Sequence, residues 1–101
     1  SSELKPVLQM KDGRIEPVEK VRTKRKAMQR VADVVAERVG AQSPVRLAVA
    51  HADSEVDAAW LMDAAKAQMS PIETLTCPLS PVIGAHAGPG TVSLNYMFGV
   101  E

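Results

Sequence analysis

The 101-residue sequence is poor in the residues that build many small functional sites. Cys77 is the only cysteine, so an intrachain disulfide is excluded, which fits a reducing, cytoplasmic compartment. His51 and His86 are the only imidazoles, and no acidic cluster surrounds either one, so the metal-ligand spacing is absent. Phosphate-loop, dinucleotide-binding and serine-hydrolase signatures are absent too. We therefore expect no metal and no cofactor.

A net charge of one sign is also lacking, because twelve Lys and Arg residues balance twelve Asp and Glu residues. This balance argues against bulk electrostatic binding of nucleic acid. The charges are nevertheless segregated: residues 1–46 carry eleven basic and six acidic side chains (+5), and residues 47–101 carry one and six (−5). Either the two halves pair and cancel in the fold, which we favour, or the first half presents a basic face to an anion, an acidic partner or a membrane surface.

Long apolar runs and a signal peptide are absent, so we expect no membrane span. Aromatic residues amount to 3%, which leaves aliphatic side chains and methionine to fill the core. The length suits one domain, residues 1–101. Because the chain starts with two serines and no Met, we expect a processed or excised piece, with further chain upstream of the strand-like segment 4–8.

Apolar periodicity predicts the order β-β-α-β-α-β-α-β, a two-layer α/β sandwich. The turn at Asp12 and Gly13 favours an opening hairpin. A parallel βαβ unit follows, and both main helices are expected on one face of a mixed sheet of about five strands. The nearly continuous apolar run at 45–50 predicts a strand that is buried on nearly both faces. The predicted strands are 6–10, 14–21, 45–50, 72–77 and 91–98.

Two longer helices are predicted between these strands. Thr23 is expected to cap the first, over 24–39, whose apolar stripe contains Met28, Val31, Val35 and Val39. Its first turn would then hold Lys24, Arg25 and Lys26, where the helix dipole disfavours cations, so an anion or acidic partner is one explanation and a solvated basic turn the other. A capping box of Ser54 and Asp57 is expected to open the second helix. Its predicted apolar side comprises Val56, Ala59, Trp60, Leu61, Ala64, Ala65 and Met69.

The segment 78–91 predicts a short helix with marked ends. Ser80 can cap it and Pro81 suits its first position, whereas Gly88 and Pro89 end it. His86 then lies in the last turn, beside unpaired carbonyls and a glycine-bounded turn that a ligand can approach closely. His51 follows a strand at its carboxyl end, where ligands of open α/β sheets often bind, although it can equally cap the strand in solvent. These residues alone indicate a two-layer domain with an anion site near His86.

The ordered set of motifs resembles the C-terminal domain of the DegV family over essentially the whole chain. The resemblance implies a two-domain bacterial protein that binds a long-chain fatty acid and presents it to a fatty acid kinase, which phosphorylates the carboxylate. The binder itself is not the catalyst. The matching segments are Leu4 to Leu8, Lys11 to Gly13, Glu19 to Thr23, His51 to Asp53 and Ile83 to Thr91.

The resemblance also implies site residues. It places His86 near the fatty acid carboxylate at the domain interface, with Gly88, Gly90 and Thr91 of the adjoining turn. Arg22 matches an arginine that engages the acyl phosphate or the kinase, and the run Lys24, Arg25 and Lys26 would serve kinase docking.

The N-terminal domain of that family has no counterpart here, so the chain is expected to hold half of the site. Two other interpretations remain. One is the substrate-binding part of an enzyme related to dihydroxyacetone kinase, in which His86 would be a nucleophile. The other is a protein-interaction domain without a ligand.

Overall fold

The structure, a computed structural model, describes residues 5–10 and 17–99. In these residues four strands and three helices alternate along the chain. They are β1 (Lys5–Met10), α1 (Pro17–Val39), β2 (Val45–His51), α2 (Glu55–Lys66), β3 (Glu73–Pro78), α3 (Pro81–Ala87) and β4 (Val92–Phe98).

The four strands form one mixed sheet in the order β1-β4-β2-β3. β2 and β3 run parallel and are joined through α2, so the predicted βαβ unit is confirmed. β4 is antiparallel to both β1 and β2. The α/β class and the mixed sheet are therefore correct, but the expected number of about five strands is wrong, because the described residues form four.

The missing strand is the one predicted over 14–21. Residues 17–21 instead begin α1, and Pro17 occupies its first position, where the absent N–H costs nothing. β1 pairs with β4 rather than with a neighbouring hairpin strand. The proposed hairpin turn and residues 14–16 lie outside the described residues. Thr23 consequently lies inside the helix and does not cap it.

The early start of α1 also corrects the interpretation of the basic run. Lys24, Arg25 and Lys26 lie about two turns inside a helix that begins at Pro17. The helix dipole acts mainly within the first turn. The three cations therefore do not lie at a helix start, and the helix dipole gives no reason to expect an anion or acidic partner beside them.

The core lies between the two longer helices and one sheet face. The α1 stripe is confirmed, since Met28, Val31, Val35 and Val39 are all at most 2% exposed. For α2 the predicted face is partly wrong: Val56 is 78% exposed, whereas Ala58, Leu61, Met62 and Ala65 are buried. The registers of β2 and β4 add Leu47, Val49, Leu94 and Tyr96 from the sheet.

Within residues 5–10 and 17–99, helices cover only this one face of the sheet. Burial alternates along β2, so the expectation that this strand is buried on nearly both faces is wrong. Pairing registers place Ala48 and Leu75 side by side on the opposite face, and Leu75 is 58% exposed. β3, at the sheet edge, is exposed along most of its length.

Ion pairs join the basic and acidic halves of the sequence. The Nζ of Lys24 lies 2.8 Å from Oδ2 of Asp57, and Nε of Arg46 lies 3.0 Å from Oε1 of Glu73. These contacts support the interpretation that the halves cancel. Within the described residues, no helix combines the length and apolar character that a membrane crossing requires.

Candidate functional site

The short helix α3 forms as its end signals predict. The hydroxyl of Ser80 accepts a hydrogen bond from the Ile83 N–H at 3.3 Å, and Pro81 takes the first helical position. At the other end the Gly88 N–H donates to the carbonyl of Gly84 at 2.9 Å. These caps hold His86 in the last turn of the helix.

The ring of His86 is exposed at the surface. Val82 precedes it by four residues and Ile83 by three, so the three side chains share one face of α3. Val82 is 69% exposed and Ile83 51% exposed. This face therefore offers two aliphatic side chains and one polar, titratable ring to whatever binds there.

The turn after α3 needs glycine at two positions. Gly88 has φ 87° and ψ 155°, a region essentially restricted to glycine, and Gly90 has φ 91°. Thr91 is fully buried, and its hydroxyl lies 2.9 Å from the Ala87 carbonyl oxygen and 2.8 Å from that of Gly88. Thr91 thus secures the carbonyls at the end of α3. Its burial counts against the predicted direct contact with a ligand, which stays untested.

Lys24 is buried, whereas its basic neighbours Arg25 and Lys26 are exposed. It is 8% exposed, and its Nζ donates to the Gly90 carbonyl at 2.5 Å as well as pairing with Asp57. The ammonium therefore ties α1 to the glycine turn and to the first turn of α2. This geometry makes Lys24 a positioning residue, although the sequence suggested a docking cation.

The other three basic residues of the predicted docking set are on the surface. Arg22, Arg25 and Lys26 are all exposed. The guanidinium of Arg25 lies 5.8 Å from the centroid of the Trp60 ring, within cation–π range. The predicted role of these exposed residues in docking an acidic partner stays a prediction.

His51 lies at the carboxyl end of β2, where the sequence leaves it undecided between a ligand contact and a solvent-exposed strand cap. It is the last residue of β2, 6% exposed, on the helix-covered face of the sheet. Its Nδ1 accepts the Ser54 N–H at 3.1 Å. Ser54 itself donates to the Ala52 carbonyl at 3.0 Å and makes no side-chain cap, so the capping box with Asp57 is wrong.

Two open clefts meet at His51. The larger, of about 590 Å³, also contains Lys24, Asp57 and Gly90. The smaller, of about 380 Å³, has Pro78, Pro81 and Pro89 in its wall, and is called here the proline groove. Neither cleft includes His86 in its lining. Among the described residues, no group of three or more His, Cys, Asp or Glu side chains could hold a metal ion.

Comparison with known proteins places this arrangement in a family. The model described as "Uncharacterised protein, DegV family" matches residues 1–98. The chain belongs to the DegV family. A DegV domain-containing protein of Halalkalibacterium halodurans is 39% identical over 93 residues, which cover 92% of this chain and 33% of the relative.

Two further DegV relatives carry functional names. A "Fatty acid-binding protein" of Thermotoga maritima is 30% identical over 94 residues, covering 93% of this chain and 31% of the relative. The crystal structure of DegV from Bacillus subtilis, named as a fatty acid binding protein, is 31% identical with a TM-score of 0.65, covering 79% of this chain and 28% of that one. This DegV chain thus spans about a third of the length of the curated relatives it matches.

Proposed function

We propose that this DegV domain forms one side of a long-chain fatty acid site, with His86 binding the carboxylate. The observation that carries the proposal is the face of α3, where the exposed His86 ring stands beside the exposed Val82 and Ile83. An acyl chain gains from burying such aliphatic side chains, at about 25 cal/mol per Å² of apolar surface. An imidazole donor suits a carboxylate oxygen.

The names of the relatives support this ligand class, since they describe proteins that bind fatty acids. Because the chain corresponds to about a third of those relatives, we propose that a further, N-terminal domain supplies the other wall of the site and most of the acyl tunnel. The complete protein would act as a cytoplasmic, non-enzymatic carrier that presents its fatty acid to a kinase.

Within this domain the turn residues would position the site. Gly88 and Gly90 permit a backbone path that places the end of α3 at the surface, and Thr91 stabilises the last carbonyls of that helix from inside. In this proposal the two glycines shape the carboxylate end of the site, and Thr91 supports them from within.

The deciding experiment uses the longest natural chain that contains these 101 residues. His86→Ala should weaken oleate binding by about 1–3 kcal/mol, the scale of a hydrogen bond to a charged group, which is roughly 5- to 150-fold in affinity. Affinity for oleyl alcohol, which lacks the carboxylate, should change much less. Val82→Ser should lower the affinity for both oleate and oleyl alcohol, because it removes apolar contact with the acyl chain.

Lys66→Ala provides the matched control, since Lys66 is exposed in the last turn of α2, outside the proposed site. Calorimetry with both ligands separates the outcomes. Equal oleate affinity in the His86→Ala and Lys66→Ala proteins would reject the carboxylate role of His86. Native mass spectrometry with lipid extraction on the same chain identifies the fatty acid that it carries.

The proposed kinase surface has a separate test. Arg22→Glu, Arg25→Glu and Lys26→Glu reverse three exposed charges on α1 without touching the buried Lys24. Electrostatic steering predicts a fall in the association rate with a fatty acid kinase, measured by surface plasmon resonance, and unchanged oleate binding. An unchanged association rate would remove this surface from the proposal.

A further inference from the structure

His51 is a buried imidazole with one nitrogen occupied by the protein. It is 6% exposed, and Nδ1 accepts the Ser54 N–H at 3.1 Å. A ring nitrogen that accepts a hydrogen bond carries no proton, so in the neutral ring the proton lies on Nε2. The contact with Ser54 therefore makes Nε2 a hydrogen-bond donor.

The second nitrogen, Nε2, has no protein partner among the described residues. No buried side-chain nitrogen or oxygen there is left without a partner, so Nε2 must be reached by solvent. His51 lines both clefts beside the glycine turn. A ring that is more than nine-tenths buried thus keeps one nitrogen without a partner among the described residues, at the edge of the two clefts.

The proline groove fits a ligand with an apolar body and an oxygen acceptor. Its walls include Leu79 and three prolines, and its volume of about 380 Å³ lies within the range of small-molecule sites. Asp53 is the one carboxylate in its lining and is exposed, so water screens its charge. His51 Nε2 therefore offers a hydrogen-bond donor beside a partly apolar wall.

We propose that His51 is a second ligand-binding imidazole, whose Nε2–H donates to a carboxylate oxygen of the bound fatty acid. The inference rests on the proposed function and adds a contact on the other side of the turn. Pro89 belongs to the groove wall and to the turn that follows His86.

Two near-isosteric substitutions separate binding from structure. The side-chain oxygen of Asn can replace Nδ1 as the acceptor for the Ser54 N–H, but Asn does not reach as far as Nε2. The longer Gln can bring an amide N–H to the position of Nε2. In the longest natural chain, we expect His51→Asn to retain the urea midpoint and to lose roughly tenfold in oleate affinity. We expect His51→Gln to recover most of that affinity.

Nitrogen-15 NMR of the histidine rings provides a readout that a structural role would not move. The free protein should show the Nε2–H tautomer for His51, and oleate should shift the Nε2 resonance. A protonated Nδ1 in the free protein, or oleate affinity in His51→Asn equal to that of the wild type, would overturn the proposal.

The groove itself is tested at Gly84, which lines it and where an added Cβ meets nothing within 4 Å. Gly84→Ala should leave oleate binding intact, whereas Gly84→Leu should fill the groove and weaken binding. If both variants bind equally, the groove is not the site. Loss of binding in His86→Ala but not in His51→Asn would reject this inference while preserving the proposed function. Absence of oleate binding in the wild type would reject the proposed function itself.

Discussion

Replacing Lys24 by methionine should destabilise the domain strongly, although the methionine keeps the apolar stem. The substitution removes an ammonium that donates to the Gly90 carbonyl at 2.5 Å and pairs with Asp57 at 2.8 Å. A buried carbonyl left without a donor costs about 1–3 kcal/mol. Breaking a buried ion pair on one side costs about 3–5 kcal/mol, but the Asp57 side chain is 35% exposed and regains some hydration.

We therefore expect Lys24→Met to lower the free energy of unfolding by about 2–4 kcal/mol. Urea denaturation followed by the fluorescence of Trp60, the only tryptophan, measures this loss. The midpoint should fall by about 1–2 M for a typical urea dependence. Lys24→Arg should recover little of the lost stability, because a planar guanidinium does not fit the place of a compact ammonium.

Lys26→Met is the matched control, since it makes the same change two residues away at an exposed position. It should alter stability by less than about 0.5 kcal/mol. Combining Lys24→Met with Asp57→Asn should cost less than the sum of the single changes, because the two side chains interact. Equal stability of the two methionine variants would refute the positioning role of Lys24.

Three further outcomes follow from the described contacts. Gly88→Ala should lower the free energy of unfolding by about 1–3 kcal/mol, because alanine is strained at these backbone angles. An added Cβ meets nothing within 4 Å, so no steric clash contributes, and an unchanged urea midpoint would contradict this expectation. Side-chain hydrogen bonds from Gln29 and Gln68 lower the pKa of Asp33 below its ordinary value of 3.8, so this stabilisation is present above pH 3.8 and is lost as pH falls through the lowered pKa. In an NMR titration, Gln68→Leu should raise that pKa. Leu75→Lys should reduce self-association of the isolated domain in light scattering, because Leu75 is 58% exposed on the edge strand.

Local signals in the sequence were sufficient for several elements. The stripe from Met28 to Val39 repeats with helical period and has no competing interpretation, so it identifies the buried face of α1. Likewise Ser80 and Gly88 mark the ends of α3 through short-range backbone chemistry.

Competing local signals caused the errors. Val18 and Val21 favour a strand, but Pro17 can begin a helix and the chain continues as α1. In α2 the abundant alanines suit either face, so the helix phase is weakly specified and Val56 turned out to be exposed. Packing against the sheet decides the phase of α2, and that information is not local.

The site itself was predictable only in part. The cap signals located His86, but the tie from Lys24 to Gly90 joins residues that are 66 positions apart. The donor state of His51 depends on a turn that brings the Ser54 N–H back to its ring. Since neither contact follows from sequence spacing, the motif alone suggested a docking role for Lys24 and an undecided one for His51.

The bond between Lys24 and Gly90 links two parts of the chain that are 66 positions apart. Because the ammonium of α1 holds a carbonyl of the glycine turn, a displacement of α1 should also displace that turn. A mutation that loosens α1 would therefore disturb the proposed ligand-binding surface from a distance.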